Sequence, residues 1–592
     1  MYSVNTRREL ARRTLVLGLL GSVSAVTAQA DGLRNGVAAG EVSQTSALLW
    51  AGTPHAGNVN FEVFTDAAMA SLVGGGSVAA NGVVPVKLGL SNLNSGVDYY
   101  YRATDALGDS SVGRFRTVDT AGSRNGLRFG VSGDWRGELA PYRSVSNVAA
   151  RDLDFFVTLG DTIYGDVSSP ALPGKNAETL AEYRIKHDEV YSSHLGHNSL
   201  ADMRASTAWF ATIDDHEVVN DFAGGASAAS DPRFGNGSES YINETPRYQA
   251  GMQAFQEWNP IASTTYGATG DPRTAGKPNL YRQQSFGANA WMGVLDARSF
   301  RDQELADVTN PADLSEVGGF LISAFDPTRT MLGNQQFTDL KTDLLKAQND
   351  RVTWKFVMVP EPVQNLGVLA AGDRYEGYAA ERNALLSFID VHNIENVVFV
   401  SADIHGTLVN NLTYQNAPFG VQIPSSAWEI STGSVAYDAP FGLTVAQLAF
   451  GLGLPGALDP VIFAGLAPAQ KEAYVQGLIN AQVIPLGYDA LGLNGSSVLA
   501  QLLQGAYSAS NSYGWTEFEI DPAGMLLVTT YGIDAYTRAD LEADPLAILA
   551  STPRVMSQFR VAPVPLPPGV ALLPAALVLS WFATRRSRSN IV

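Results

Sequence analysis

Apolar runs that stop abruptly at acidic residues constrain the fold of this chain more than any other feature. One run, Phe155 to Leu159, ends just before Asp161. Three others end in the same way, at Asp134, at Asp214-Asp215-His216-Glu217 and at Asp403-Ile404-His405. Each run has the length and composition of a buried strand, and the carboxyl ends of parallel strands share one edge of a sheet. We therefore expect these acids and histidines to line a common crevice.

A single Asp at a strand end is more often a helix cap or a turn former than a ligand. Four coincidences at equivalent places favour a functional cluster instead. The chain contains no cysteine, which excludes disulfides and thiolate ligands, so any metal must be held by oxygen and nitrogen atoms. We interpret Asp161 as a carboxylate that bridges two cations, with Asp134 and His405 on one of them and Asp215 and Asp403 on or near the other. Tyr164 follows three residues after Asp161 and can reach the same ion, although a lone tyrosine is more often a packed aromatic residue.

The net charge argues against nucleic acid as a partner. The formal charge is −19, and residues 31–560 alone carry 32 basic and 57 acidic side chains. Contacts to phosphate backbones need clustered Lys and Arg, so we expect no nucleic-acid-binding surface.

Residues 1–30 have the pattern of an export signal, with an apolar run from Leu15 to Val26 and a small-x-small cleavage pattern at Ala28-Gln29-Ala30. The pair Arg7-Arg8 resembles a twin-arginine signal, which serves proteins exported in the folded state. An ordinary basic leader is the alternative. Export machinery is therefore an expected partner.

Residues 561–592 form a C-terminal segment with Val564-Pro565-Leu566-Pro567, a short apolar run and Arg585-Arg586. This combination resembles exosortase sorting tails, which are cut so that the body reaches the outer surface or the extracellular medium. A C-terminal membrane anchor is the alternative, although the run is short for a span. Contact with a membrane is expected only through these processed termini.

Residues 31–118 alternate between short apolar strands and turns, which predicts a small antiparallel β-sandwich. The segment Leu93 to Arg102 resembles the end of a fibronectin III-like domain. Residues 119–126 form a linker to a catalytic domain at 127–560. Strands alternate with helices there, which predicts a layered α/β fold with a helical insertion at about 436–510, a lid or partner surface. The predicted helices span Tyr142–Arg151, Asn176–His194, Asn334–Lys346 and Glu376–Val391.

The four strand-end motifs, including Gly160-Asp161-Thr162-Ile163-Tyr164, together resemble the alkaline phosphatase D family of calcineurin-like metallophosphoesterases. The resemblance covers residues 31 to about 560. It implies a sandwich of two mixed sheets flanked by helices, behind a fibronectin III-like domain. It also implies a site with two or more metal ions, in which Asp215 is a ligand and His216 contacts phosphate.

Two features depart from the family pattern. The cysteine ligand after the first strand is absent, so Asp134 would take its place. The isolated middle histidine is also absent, and Glu361, Gln364 or Asn365 is expected to fill that position with oxygen. An oxygen-rich site favours calcium, magnesium or manganese, while iron and zinc remain alternatives within the family.

Four further residues are weaker candidates. His194 and His197 have a spacing that places both on one helical face as a metal pair, although histidines are also common near helix ends. Arg136 could hold a phosphate oxygen by a bidentate fork, or it could form an ion pair with Glu138. Asp214 is expected in or next to the ligand set.

The sequence predicts an exported, metal-dependent phosphoric ester hydrolase, a phosphatase or phosphodiesterase that scavenges phosphate. Two metals would activate a water, with His216 as proton donor or charge stabiliser. The alternative is a non-enzymatic, metal-stabilised surface or matrix protein.

Overall fold

The computed structural model describes residues 33–235 and 237–566. The export signal and most of the C-terminal tail lie outside the described residues, so both stay predictions. Within the described ranges, every helix is too short or too polar to cross a bilayer.

The strands alternate with helices along the body of the chain. The strands are β1 (Val37–Gly40), β2 (Ala47–Ala51), β3 (Ala56–Phe64), β4 (Leu72–Asn81), β5 (Val86–Leu90), β6 (Asp98–Thr104), β7 (Ser110–Arg116), β8 (Leu127–Trp135), β9 (Phe155–Leu159), β10 (Ala208–Thr212), β11 (Arg282–Phe286), β12 (Ala290–Val294), β13 (Trp354–Met358), β14 (Val397–Ser401), β15 (Thr407–Tyr414), β16 (Ile423–Ser431), β17 (Ser434–Ala436), β18 (Ala500–Gln504), β19 (Ser508–Ala509), β20 (Ser512–Ile520), β21 (Leu526–Asp534) and β22 (Arg554–Val561). The helices are α1 (Leu180–Tyr191), α2 (Ser199–Ser206), α3 (Pro246–Trp258), α4 (Leu314–Ala324), α5 (Asn334–Asn349), α6 (Ala379–Val391), α7 (Phe441–Gly451), α8 (Pro460–Ala464), α9 (Pro468–Val483), α10 (Arg538–Ala543) and α11 (Pro545–Ala550).

Two mixed sheets form the centre of the molecule. The larger has the order β18-β22-β21-β20-β8-β9-β10-β1-β2-β5, with β17 beside β8. The second has the order β11-β12-β13-β14-β16-β15-β19. Apolar side chains of both sheets, such as Phe129, Phe155, Phe356 and Phe518, pack in one core between them. The rings of Phe129 and Phe356 meet edge to face at 4.9 Å.

Helices cover the outer faces of the two sheets. Side chains of α1, α2 and α3 pack on the larger sheet, and those of α5 and α6 pack on the second. Helix, sheet, sheet and helix therefore form four layers, the arrangement of an α/β metallophosphoesterase sandwich, which confirms the predicted layered fold at that level.

The N-terminal strands do not form a closed unit of their own. β4, β3, β6 and β7 make a separate antiparallel sheet, but β1, β2 and β5 continue the larger sheet of the body. β1 pairs in parallel with β10, where Ala39 lies opposite Ala208. The predicted division at residue 118 therefore crosses a shared sheet, and a fibronectin III-like domain is not established.

Two helical predictions need correction. The segment 142–151 forms short 3₁₀ turns instead of an α-helix. Its polar side chains bond locally, since Ser146 Oγ donates to the carbonyl of Arg143 at 2.8 Å, and such bonds compete with helix formation. The insertion predicted at about 436–510 is helical only in α7, α8 and α9. Its last part forms β18, which pairs with β22 of the larger sheet, and β19, which pairs with β15 of the second sheet.

Candidate metal centre

The predicted strand ends do meet at one edge of the fold. β8, β9 and β10 are parallel neighbours in the larger sheet, and they deliver Asp134, Asp161 and Asp215 side by side. β14 of the second sheet delivers Asp403 and His405 from the opposite side. The two sheets approach closely here, because a Cβ on Gly133 would lie only 2.9 Å from the Cβ of Ala402.

The backbone at this edge is strained. Asp134, Asp161, Asp403 and His405 all have positive φ, between 48° and 65°. A residue other than glycine costs about 1–3 kcal/mol in such a conformation, and that cost is concentrated at functional sites in proteins. Four strained residues at three strand ends turn their side chains towards one point.

The first ligand group consists of Asp134, Asp161 and His405, whose ligand atoms lie within 4.8 Å of one another. His405 Nε2 is 3.6 Å from Asp134 Oδ1 and 3.3 Å from the hydroxyl oxygen of Tyr164. Asp134 is 1% exposed, yet among the described residues neither of its carboxylate oxygens has a hydrogen-bond partner. A buried carboxylate without a partner is costly, and a cation is the partner that would satisfy it.

The second ligand group consists of Asp161, Asp215 and His216, so Asp161 belongs to both. One oxygen of Asp161 accepts the backbone N–H of His216 at 3.2 Å. His216 Nδ1 is 2.6 Å from Asp166, and its Nε2 lies 3.9 Å from Asp215. Asp166 therefore orients the imidazole so that Nε2 points into the centre.

The electrostatics of the centre are those of a cation site. Burial, together with the surrounding carboxylates, raises the pKa of Asp134 and Asp161 well above the ordinary range. Burial also lowers the pKa of His405, which keeps the imidazole neutral and able to bind a metal. Burial alone would lower the pKa of His216, but the carboxylates of Asp215 and Asp166 outweigh it and raise the value to about 9. The donor set of carboxylates, phenol and imidazole fits divalent or trivalent cations.

Glu217 fixes the loops that follow β9 and β10 by accepting hydrogen bonds from their backbone. This side chain is fully buried and accepts backbone N–H groups from Asp161 at 3.0 Å, Thr162 at 2.6 Å and Asp214 at 2.9 Å. One carboxylate thereby ties the end of β9 to the end of β10. Burial raises the pKa of Glu217 to about 8.

Arg298 forms ion pairs with several carboxylates beside the second ligand group. Its guanidinium lies 2.5 Å from Asp214 Oδ1 and 2.8 Å from Asp373 Oδ2, and it also pairs with Glu361. Asp214 is thereby engaged next to the ligands instead of among them. Asp215, Asp221 and Asp373 form a further acidic group on this side. Among the described residues Asp403 belongs to none of the groups of three, and burial, with the charges of Asp214 and Asp215, raises its pKa well above the ordinary range.

The expected oxygen ligands after β13 have other partners. Glu361 is fully buried, and its Oε1 pairs with Arg298 and, at 2.9 Å, with Arg301. Gln364 donates its amide to Ser431 at 2.8 Å. Within the described part of the chain, Oε2 of Glu361 and Oε1 of Gln364 have no hydrogen-bond partner. The side-chain oxygen of Asn365 accepts the N–H of Gly367 at 3.0 Å and is engaged there.

The histidine pair predicted on a helix lies in a turn instead. α1 ends at Tyr191, and His194 and His197 exchange backbone hydrogen bonds of 2.8 and 2.9 Å around Leu195-Gly196. His194 Nε2 is 2.6 Å from the carbonyl of Glu189. Neither histidine joins a ligand group among the described residues.

Arg136 forms the alternative ion pair, with Glu138. Its guanidinium also lies over the rings of Tyr164 and Tyr437, at 5.7 and 5.3 Å. It stands at the rim of the first ligand group, packed between the two tyrosines.

Several residues of the site were not predicted from the sequence. They are Asp166, Glu217 as a loop support, Asp221, Arg298, Arg301, Asp373 and Tyr437. The apolar strand β12 is followed by Asp296, so the same strand-end rule would have drawn attention to Arg298. Asp166, Asp221 and Asp373 lie in irregular loops, where no periodicity marks them.

Comparison with known sequences agrees with this geometry. The family profile described as "PhoD-like phosphatase" matches residues 131–447, and the profile of its N-terminal domain matches residues 21–119. The chain belongs to the PhoD-like phosphatase family. The family match contains all of the strand-end motifs.

Two relatives show how far the family likeness extends. Alkaline phosphatase D of Bacillus subtilis (strain 168) is 28% identical over 374 residues, which is 59% of this chain and 56% of that protein. The chain is thus matched to little more than half of that relative's length. A solved structure described as "Structure of PhoD" superposes with a TM-score of 0.65 at 18% identity, covering 92% of this chain and 94% of the other. At that identity the superposition shows a shared fold.

Proposed function

We propose that this protein is a metal-dependent phosphoesterase that hydrolyses phosphate monoesters or diesters. The observation that carries the proposal is the pair of overlapping ligand groups that share Asp161. Membership of the PhoD-like family supports it, as does the similarity to a protein named alkaline phosphatase D.

Asp161 would contribute to the binding of two cations, because it belongs to both ligand groups. Asp134, Tyr164 and His405 would complete one coordination sphere, and Asp215, with Asp403 nearby, would contribute to the other. Bound cations supply positive charge that polarises a phosphoryl group and acidifies an attacking water. The unpartnered oxygens of Asp134 and the neutral imidazole of His405 are suited to hold such cations.

Although His216 lies within reach of the second ligand group, we assign it as the proton donor and not as a metal ligand. With its pKa raised to about 9 the imidazolium form dominates at neutral pH, and its Nε2 faces the centre. Asp166 holds Nδ1 and stabilises the charged ring, as the acid of a carboxylate–histidine pair does. His216 can therefore donate a proton to the departing alcohol oxygen or stabilise charge on phosphate.

The donor set bears on the choice of metal. Carboxylate and phenol oxygens outnumber nitrogen ligands, and the chain has no cysteine. Oxygen-rich sites prefer calcium, magnesium or manganese, and a phenol with a neutral imidazole also suits iron. We propose one iron- or manganese-type ion in the group with Tyr164 and His405, and a calcium- or magnesium-type ion beside Asp215.

We also propose that the protein is exported and acts outside the cytoplasm. Support comes from the Arg7-Arg8 leader with its Ala28-Gln29-Ala30 site, and from the Val564-Pro565-Leu566-Pro567 tail. Intact-mass measurement of protein from the native host should find neither segment. Full-length protein in the inner membrane would contradict this part of the proposal.

A turnover assay with added metals tests the activity. Protein stripped with a chelator is reloaded with calcium, magnesium, manganese, iron or zinc, singly and in pairs, and 4-nitrophenyl phosphate and bis(4-nitrophenyl) phosphate are offered as substrates. We expect the stripped protein to be inactive and at least one metal pair to restore turnover. Stoichiometric metal uptake without any ester hydrolysis would favour the metal-stabilised scaffold instead.

A further inference from the structure

A cavity of about 650 Å³ lies between the inserted helices and the end of the larger sheet. Leu443 of α7, Phe463 of α8 and Ala473 of α9 line one side of it. Tyr513 of β20 and Tyr536 line the other side. The volume is within the range of about 300–1,000 Å³ that is usual for small-molecule sites.

The chain connects the metal centre to the wall of the cavity through Tyr437 and Asp438. β17 runs parallel to β8, with Ala436 opposite Trp135, so both strands end at the same edge. Tyr437 follows β17, and its ring stacks on the imidazole of His405 with the ring centroids 3.4 Å apart. The next residue, Asp438, already lines the cavity. Tyr437 therefore lies between the proposed ligand His405, on which it stacks, and Asp438, which follows it directly in the chain and lines the cavity.

The inserted helices are attached directly to a proposed metal ligand. The N–H of Phe441, the first residue of α7, donates to the carbonyl of His405 at 3.1 Å. A Cβ on Gly406 would lie 2.6 Å from the Cβ of Phe441, so the chain after His405 packs tightly against the helix. The position of the helical wall is thus fixed relative to the centre.

The lining is mainly apolar, and its charged groups are predominantly acidic. Aliphatic and aromatic side chains such as Leu443, Phe463 and Leu466 provide most of the surface. Asp438, Glu472 and Asp534 stand against a single basic side chain, Lys471. Glu472 is engaged, because it accepts the N–H of Ser510 and the amide of Asn511 at 2.9 Å each. A second phosphate or carboxylate would be repelled here, whereas an uncharged apolar group would be desolvated favourably.

We propose that this cavity binds the organic substituent of the phosphate ester, and that the substituent is an uncharged alkyl or aryl group. This inference rests on the proposed phosphoesterase activity and specifies its substrate class. With the phosphoryl group at the metal centre, the substituent passes Tyr437 and Asp438 and lies against Leu443 and Phe463. Esters with long apolar groups are then preferred over esters of small or anionic alcohols.

The test compares substrates that differ only in chain length, on the metal-loaded full chain. Values of kcat/KM are measured for propyl and octyl phosphate by phosphate release, and for 4-nitrophenyl methyl and 4-nitrophenyl octyl phosphate by nitrophenol release. The wild type should prefer the octyl member of at least one pair by about tenfold or more, since each buried CH₂ contributes to transition-state binding.

Two substitutions on α9 distinguish an effect of filling the cavity from a general effect of adding a tryptophan to this helix. Ala473→Trp places an indole in the cavity and should reduce the octyl preference to within about twofold while leaving the short esters within about twofold of the wild type. Ala481 is an exposed alanine of α9 outside the cavity, and Ala481→Trp should leave both values unchanged. Equal kcat/KM for short and long esters in the wild type, or an octyl preference that survives Ala473→Trp, would overturn the inference.

A binding measurement distinguishes failure of the inference from failure of the proposed function. Calorimetric titration of octylphosphonate and methylphosphonate onto the metal-loaded protein reports binding without turnover. We expect octylphosphonate to bind at least about tenfold more tightly, and Ala473→Trp to remove the difference. Absence of hydrolysis for every ester would refute the proposed function, whereas equal affinity for the two phosphonates would refute the cavity assignment.

Discussion

Asp161 is the residue on which the centre depends most. It is 2% exposed, it belongs to both ligand groups, and burial with the surrounding carboxylates raises its pKa. Asp161→Asn keeps the size but removes the charge that two cations share. We expect both metals to be lost and hydrolysis to fall at least about a hundredfold. Metal analysis by plasma mass spectrometry beside the rate assay measures both effects.

A stability measurement on the same variant gives an independent check. Without metal, Asp161→Asn relieves repulsion among buried carboxylates, so the metal-free variant should unfold at a higher temperature than the metal-free wild type. Added metal should then stabilise the wild type but not the variant. Asp154, at the opposite end of β9, provides the matched control Asp154→Asn, which should leave metal content unchanged. Full occupancy and normal rate in Asp161→Asn would remove the basis of the proposed site.

His216 and Asp166 should affect the rate without emptying the centre. His216→Ala is expected to slow turnover by about 10²- to 10⁴-fold, the range for loss of a general acid, with metal content near normal. In Asp166→Asn the imidazolium loses a carboxylate that raises its pKa, so the alkaline limb of kcat against pH should move to lower pH. An unchanged alkaline limb in Asp166→Asn would show that His216 is not the group that titrates.

The sequence predicted the residues at regular strand ends and missed those in loops. Asp134, Asp161, Asp215 and His405 follow apolar strands, and burial of the strands positions them. Glu361 illustrates the limit, because the sequence offers it as an oxygen ligand but does not reveal that Arg298 and Arg301 pair with its Oε1. Such ion pairs join segments that are 60 or more residues apart, and no local pattern reports them.

The N-terminal strands are an integral part of the body, which alters what truncation should do. Trp50 of β2 is fully buried and donates from Nε1 to the carbonyl of Glu257 at 2.9 Å. The guanidinium of Arg204 lies 4.2 Å from its ring centroid and 4.4 Å from that of Tyr191. The sequence suggested a separate sandwich because strand density and turns were all it showed. The pairing of β1 with β10 is a contact across about 170 residues that alternation cannot reveal.

Trp50→Ala should therefore destabilise the whole chain instead of the N-terminal strands alone. We expect a loss of about 3–5 kcal/mol in the free energy of unfolding, the usual cost of removing a large buried aromatic residue. Tyr100→Ala, on a half-buried face of β6, should cost about 1 kcal/mol or less. Denaturant unfolding followed by fluorescence and by release of bound metal measures both. Two separated transitions, with metal retained after the first, would show that the N-terminal strands unfold independently.

The stability of the whole molecule should depend on pH through His187, which packs close to Tyr191 and Arg204. Its ring is fully buried and stacks on Trp258 with the ring centroids 5.9 Å apart, and neither ring nitrogen has a hydrogen-bond partner within residues 33–235 and 237–566. Burial, and after it the charge of Arg204, lowers the pKa of His187 to about 3. An unfolded chain has an ordinary histidine there, with a pKa of about 6.5.

Between pH 6.5 and pH 3 the unfolded state therefore binds a proton that the folded state cannot, so stability falls as the pH falls. The slope from this residue is about 1.4 kcal/mol per pH unit, or about 2 kcal/mol between pH 6.5 and pH 5.

His187→Phe retains the aromatic packing and removes the titration, so its free energy of unfolding should decrease by about 2 kcal/mol less than that of the wild type over this interval. His392 is exposed, and His392→Phe serves as the control that should follow the wild type. Chemical denaturation of the metal-free proteins at pH 7.5, 6.5 and 5 measures this difference in unfolding free energy. The carboxylates of the metal centre titrate equally in the wild type and in both variants, so their contribution cancels. If the free energy of unfolding changed with pH in the same way for the wild type and His187→Phe, the folded state would accommodate the protonated imidazole. The packing around Arg204 would then be looser than the aromatic contacts indicate.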